Sequence, residues 1–243
     1  MTDAALKLTK ITAGYVPDLP ILHDVSIKAE RGSITLIIGP NGAGKSTLIK
    51  AAAGLIPVAA GKIWHENCDI THMRTDQMAG YGMAYVPQVD NIFRSLTVRQ
   101  NLNLALRREV DKVTKFEKLL IQFPALSKRL SYKAETLSGG QRQFLAVAMA
   151  LAVSPNLILM DEPSAGLSPK ASQEVLSLAR SLTETGTTIL LVEQNVNQAL
   201  RLADYCYILA EGKNQLDGKA FELLNNSAVA DIYLGGKRLG AGA

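Results

Sequence analysis

Residues 39–46 read Gly-Pro-Asn-Gly-Ala-Gly-Lys-Ser, which is the spacing G-x-x-x-x-G-K-[ST]. Glycines at 39, 42 and 44 let the backbone curl so that its N–H groups face a chain of phosphates, and the helix that follows adds the positive end of its dipole. Pro40, Asn41 and Ala43 complete the cradle. Lys45 supplies a mobile cation for the outer phosphates, Ser46 a hydroxyl for Mg²⁺, and Thr47 continues the nucleotide-binding run into the helix. A second centre is the pair Asp161 and Glu162, delivered by the apolar run "LILM". Asp161 is placed to hold Mg²⁺, directly or through water. Glu162 is placed to polarise the water that attacks a γ-phosphate, while pointing elsewhere on the same strand end. A third is Ser138-Gly139-Gly140-Gln141, a Ser–Gly–Gly turn opening a long apolar helix and therefore an anion-binding helix start. A fourth is Gln194, just beyond the apolar run "TTILLVE", whose amide can both donate to a phosphate oxygen and accept from water. The first two centres together describe a nucleotide hydrolase of the phosphate-loop class.

The elements that must position these residues are legible from hydrophobic period. "ALKLTKIT" and "ILHDVSIKAE" alternate and predict paired, half-buried strands. "SITLIIG" predicts a buried strand leading into the glycine turn, followed by a helix from Lys45 to about Ala53 that Gly54 and Pro57 terminate. "GKIW" and "GMAYV" predict further strands. Thr97 and Gln100 form a capping-box pattern that starts a helix, and the chain is mostly helical from there to about Val153. Strands return at "NLILMD" and "TTILLVE", with a helix from about Pro169 to Thr185 between them. A strand pair in "YCYILAEGKNQL" precedes two short C-terminal helices. Strands alternating with helices imply a mostly parallel α/β sheet carrying a helical insertion.

Composition narrows the function classes. The 243 residues carry a net charge of +4 and 5% aromatics, too mild a charge and too few rings for a nucleic-acid platform. Two cysteines, Cys68 and Cys206, have no zinc-ligand spacing and fit a reducing compartment. His23, His65 and His72 are isolated and read as packing or surface residues. The N-terminus has no signal-peptide core and no apolar run approaches the ~18 residues of a bilayer span, so a membrane role is expected to come through a partner. Arg107–Arg108 and Lys128–Arg129 read as solvated helix faces. Ile92 and Phe93, apolar in an otherwise polar loop, read as an exposed interface pair or as local core contacts.

With "LSGGQ" at residues 137–141 between the phosphate loop and the acidic strand, the chain resembles the ATP-binding cassette (ABC) family. The resemblance implies an α/β fold with a RecA-like phosphate-loop core and antiparallel β subdomain (residues 1–87 and 155–236), an inserted helical subdomain (88–154) and a flexible tail (237–243). It implies that Ser138, Gly139, Gly140 and Gln141 cap the ATP of a second cassette, that Gln88 in "YVPQ" touches Mg²⁺, and that Tyr15 stacks on adenine. "EPSAGLSP", "LLVEQNVNQAL" and "IYLG" resemble the ATP-binding subunits of branched-chain amino acid importers, with importers of urea or other polar solutes similar. That implies an ATPase peripheral to the cytoplasmic face of a prokaryotic membrane. Its partners would be a second, different cassette, two permease subunits and, indirectly, a substrate-binding protein, with no nucleic acid. Two positions depart from the wider family: Gln194 stands where most members carry histidine, and Ser168 where they carry aspartate. By this reading Gln194 senses the γ-phosphate without titrating, leaving Glu162 as the base, and the lost charge at Ser168 weakens cross-talk between two unequal sites. A soluble non-transport member is the reading from a different class. The single cassette and the short stretch between Lys45 and Asp161 weigh against it.

Overall fold

The structure, a computed structural model, describes residues 4–16, 18–224, 226 and 229. The alternating N-terminal segments form β1 (Ala4–Ala13) and β2 (Leu22–Glu30), paired antiparallel. With β4 (Val58–His65) and β5 (Cys68–Asp69) they build a four-stranded antiparallel sheet in the order β2-β1-β4-β5. β1 and β2 largely alternate between buried and solvated positions because one face packs on the core, whereas β4 is exposed over residues 59–62 and β5 at both of its positions.

The other strands read differently, and for the same reason in reverse. β3 (Ile34–Ile38), β7 (Leu157–Asp161) and β8 (Thr188–Val192) are buried at all five positions each. They lie inside a six-stranded sheet in the order β10-β9-β3-β8-β7-β6, with β6 spanning Met83–Val86, β9 Tyr205–Ala210 and β10 Lys213–Lys219. The pairs β3–β8, β3–β9, β7–β8 and β6–β7 are parallel, and β10 joins β9 antiparallel. A parallel sheet covered on both faces needs continuous apolar strands. The two faces are visible in the residues: Ile34, Leu36, Ile158, Met160, Ile189 and Leu191 enter one core, while Ile37, Leu157, Leu159, Leu190 and Val192 enter the other. The second core contains α1 (Lys45–Ala52) and the inner face of the antiparallel sheet.

The first core is covered by helices. These are α2 (Val98–Ala105), α3 (Lys112–Gln122), α4 (Pro124–Ser127), α5 (Gly139–Leu151), α6 (Pro169–Glu184), α7 (Val196–Leu202) and α8 (Ala220–Leu223). The expected capping box starts α2: Thr97 Oγ1 accepts from Gln100 N and Gln100 Oε1 from Thr97 N. The apolar pair before it divides. Ile92 packs against the core, and Phe93 stays half exposed. Asn101, fully buried on α2, donates from Nδ2 to Phe93 O and Thr97 O and accepts from Phe93 N, which pins this loop. No helix among the described residues is long and apolar enough to cross a membrane. The expected second C-terminal helix, the "IYLG" segment and the tail at 237–243 lie outside the described residues.

Register decides where the chemistry collects. Ile37 of β3 and Asp161 of β7 both stand level with Val192 of β8, and Met160 stands level with Val86 of β6. The segments that leave these four strands, at residues 39–44, 162–168, 193–195 and 87–91, therefore emerge at one edge. Carboxyl ends of parallel strands are where open α/β sheets hold ligands.

Candidate active site

The phosphate loop follows β3 directly. Gly39, Gly42 and Gly44 have φ of +155°, +81° and +95°, values that side chains resist. Gly39 also has no room: a Cβ there would lie 2.1 Å from Leu209 O of β9. Lys45 opens α1 nearly buried, and its Nζ donates to Gly39 O at 2.8 Å and Pro40 O at 3.0 Å. Burial lowers its pKa, and the nearby carboxylates Glu162 and Asp161 act in the opposite direction. Beside the loop is a cleft of about 350 Å³ lined by Ile21, Asn41, Gly42, Ala43, Gly44, Lys45, Ser46, Thr47, Gln88, Glu162 and Gln194. Pro40 and Gly39 are outside that lining and serve the loop through their carbonyls.

At the second residue of α1, Ser46 Oγ donates to Asp161 Oδ1 at 3.1 Å, which joins the loop to the end of β7. Burial raises the Asp161 carboxyl above the ordinary range, and the hydrogen bond from Ser46 offsets part of that. Glu162, the next residue, turns away from Asp161 through a left-handed backbone with φ +48°. Its N–H donates to Val192 O at 2.9 Å, and its Oε2 accepts from Gln88 Nε2 at 2.7 Å and Gln194 Nε2 at 2.8 Å. Three segments separated by up to 106 residues, from Gln88 to Gln194, thus meet on one carboxylate oxygen. The Gln88 amide group is spent on Glu162, so only its carbonyl oxygen remains suited to a cation.

Asp161 stands just behind the cleft lining and reaches it through Ser46, and two further groups of expected site residues are not brought to the cleft. Ser138, Gly139, Gly140 and Gln141 begin α5 outside its lining. Ser138 Oγ accepts from Gln141 N and Gln141 Oε1 from Ser138 N, a reciprocal cap. Both glycines also have a packing reason, since a Cβ on Gly139 would lie 2.9 Å from Leu167 Cδ2 and one on Gly140 2.9 Å from Ala171 Cβ. Tyr15 is likewise outside the lining. It is 53% exposed, with its hydroxyl accepting from Lys50 Nζ at 3.3 Å and the ring face turned to that cation. Ser168 caps α6, its Oγ accepting from Ala171 N at 3.4 Å.

Two contributors escape the sequence reading. Gly212 (φ +69°) follows Glu211 (φ +49°) in the β9–β10 turn, donates to Ala43 O at 3.1 Å and accepts from His23 N at 2.8 Å. It props the phosphate loop from beneath. Its signal was a Glu-Gly pair between two strand-like runs, the composition of a tight hairpin turn. The other is Glu193, buried between the loop after Glu162 and the start of α7, where Ser164 N, Ser164 Oγ and Gln194 N all donate to it. Burial raises its carboxyl and those donors counter the rise. An acid at the end of an apolar strand was the only signal, and that is a common pattern.

A phosphate loop, an acidic pair and two amides at the carboxyl edge of a parallel sheet define a phosphate-loop nucleotide-binding protein. The chain belongs to the ABC transporter family, whose profile matches residues 22–165. It is 41% identical to the probable branched-chain amino acid transport ATP-binding protein LivF of Archaeoglobus fulgidus, over 95% of this chain and 98% of that one. It is 39% identical to the high-affinity branched-chain amino acid transport ATP-binding protein BraG of Pseudomonas aeruginosa, over 91% and 96%. Among solved structures it resembles a nucleotide-free ATP-binding cassette from an ABC transporter, with 28% identity and a TM-score of 0.84 over 94% of this chain and 98% of that one.

Proposed function

We propose that this chain is the ATP-hydrolysing subunit of an importer of branched-chain amino acids, acting through separate membrane permease subunits. The observation that carries the ATPase reading is the convergence of Lys45, Ser46, Glu162 and Gln194 on one phosphate-loop cleft, with Asp161 bonded to Ser46 just behind the lining. The names of the relatives at about 40% identity support the cargo.

The loop amides of residues 41–46 receive the ATP phosphates, and Lys45 exchanges the Gly39 and Pro40 carbonyls for the outer phosphate oxygens. Ser46 lines the cleft and Asp161 Oδ1 lies 3.1 Å from its hydroxyl, two hard oxygens that fit Mg²⁺, with the Gln88 carbonyl as a further ligand. Held by these residues, Mg²⁺ would supply positive charge against the phosphate oxygens. Glu162 takes the proton of the attacking water as that oxygen bonds to the γ-phosphorus and ADP departs. Gln194 lends an N–H to the γ-phosphate. It carries no titrating group, so the proton remains with Glu162. Tyr15, exposed beside Lys50 and outside the cleft lining, stacks on adenine.

Ser138, Gly139, Gly140 and Gln141 lie outside their own cleft and serve the ATP of a second cassette. A heterodimer of two cassettes fits the uncharged Ser168. The assembly sits on the cytoplasmic face of the membrane, with two permease chains and a substrate-binding protein supplying specificity, and it needs no nucleic acid. The test is uptake of radiolabelled leucine and urea by cells whose only copy of this chain carries Glu162→Gln. Loss of leucine uptake alone supports the reading. Loss of urea uptake alone retains the ATPase and moves the cargo. Unchanged uptake of both refutes the coupling.

A further inference from the structure

Glu162 holds a backbone conformation that a β-carbon disfavours, φ +48°. Something must hold it there, because its aim decides where the proton of the water goes. Its own contacts explain part: the N–H on Val192 O, and Ala165 N on its carbonyl at 3.0 Å. The rest comes from Glu193. This carboxylate is 1% exposed and does not line the phosphate-loop cleft. Its Oε1 accepts from Ser164 N at 3.0 Å, and its Oε2 from Ser164 Oγ at 2.8 Å and Gln194 N at 3.2 Å. Ser164 is two residues beyond Glu162, and Gln194 is the amide that donates to Glu162 Oε2. Glu193 therefore clamps both arms that meet on the Glu162 carboxylate.

Resting on the ATPase reading above, we infer that Glu193 is a positioning residue for hydrolysis, a buried clamp that fixes Glu162 and Gln194 relative to each other. The chemistry of the site says why it must be a carboxylate. Two backbone N–H groups donate to different oxygens of one side chain. A glutamine of the same shape has one oxygen and one NH₂. With its oxygen toward Ser164 N, the NH₂ faces Gln194 N–H. Flipped, the NH₂ faces Ser164 N–H. Either orientation sets donor against donor and orphans one of the two backbone groups, so one arm must shift. Aspartate keeps both acceptors on a shorter stem.

The test is steady-state ATP hydrolysis by the full-length chain, with Glu162→Gln as the control for the ATPase reading. Glu193→Gln is expected to lower kcat by about 10- to 100-fold, the scale of an ångström misplacement of a reacting group, with KM for ATP within about twofold because the phosphate loop is untouched. Glu193→Asp should recover part of that loss. In a Gln194→Ala background, Glu193→Gln should cost less than it does in the wild type, because one of the two arms it positions is gone. A residue that only supports the fold would cost the same in both backgrounds. If Glu193→Gln does not fold, Ser164→Ala decides, with kcat down about threefold or more at unchanged KM. Wild-type hydrolysis with unaltered kcat in Glu193→Gln, or equal losses in both backgrounds, overturns the inference alone. No wild-type hydrolysis, or full activity in Glu162→Gln, overturns the ATPase reading and this inference with it.

Discussion

Gly212 lies 168 positions beyond Gly44 in the sequence, yet Gly212→Ala is expected to damage ATP binding. The added Cβ would lie 1.8 Å from Ile21 O, where carbon is not found within 3.0 Å, so the turn or the Ile21 segment must move by more than about an ångström. Alanine at φ +69° costs about 1–2 kcal/mol. The movement puts at risk the bonds from Gly212 N to Ala43 O and from His23 N to Gly212 O, each contributing about 1 kcal/mol net. The expected loss is about 3 kcal/mol, or a fall in Tm of roughly 6–12 °C for a chain of this size. Ala43 lies in the cradle and Ile21 lines the cleft, so ATP affinity should fall about tenfold, an additional ~1.4 kcal/mol. Thermal unfolding and titration with a fluorescent ATP analogue measure the two effects. A Tm within 2 °C of wild type, together with unaltered affinity, would refute the claim that this turn supports the loop; ~2 °C is less than 1 kcal/mol here.

Two further outcomes follow from the same geometry. Gln194→His should leave ATP turnover within about an order of magnitude, because an imidazole N–H can replace the amide donor toward the γ-phosphate; complete loss of hydrolysis would count against that role. Asp161→Asn should raise or preserve the Tm of the nucleotide-free protein in chelator at pH 7.5. Burial lifts the Asp161 carboxyl above its ordinary 3.8, so the folded state binds the proton more tightly than the unfolded one. Its stability is then greatest below the unfolded value and falls as pH rises through the folded value. Melting curves across pH should show the gap between variant and wild type closing toward pH ~4, and a variant that melts well below wild type at pH 7.5 would contradict this sign.

The phosphate loop, the acidic pair and the three fully buried strands were legible in the sequence because each rests on a local rule. Glycines at fixed offsets turn a backbone, and an apolar run bounded by turns forms a strand covered on both faces. The cap at Thr97 and Gln100 is equally local, confined to four consecutive residues. The partner-facing role proposed for Ser138, Gly139, Gly140 and Gln141 rests on the resemblance, since they begin α5 outside their own cleft. What no window of sequence contains is the register that sets Ile37 and Asp161 level with Val192. That register brings Gln88 and Gln194 onto one oxygen of Glu162, the pairing of β9 with β3 carries Gly212 to Ala43, and Asn101 on α2 pins the loop in which Ile92 is packed and Phe93 exposed. Glu193 is the plainest case. In the sequence it is an acid after a strand; in the fold it is sealed from water and surrounded by donors from two loops, because contacts between distant segments depend on how the sheet is ordered and not on which residues are adjacent in the chain.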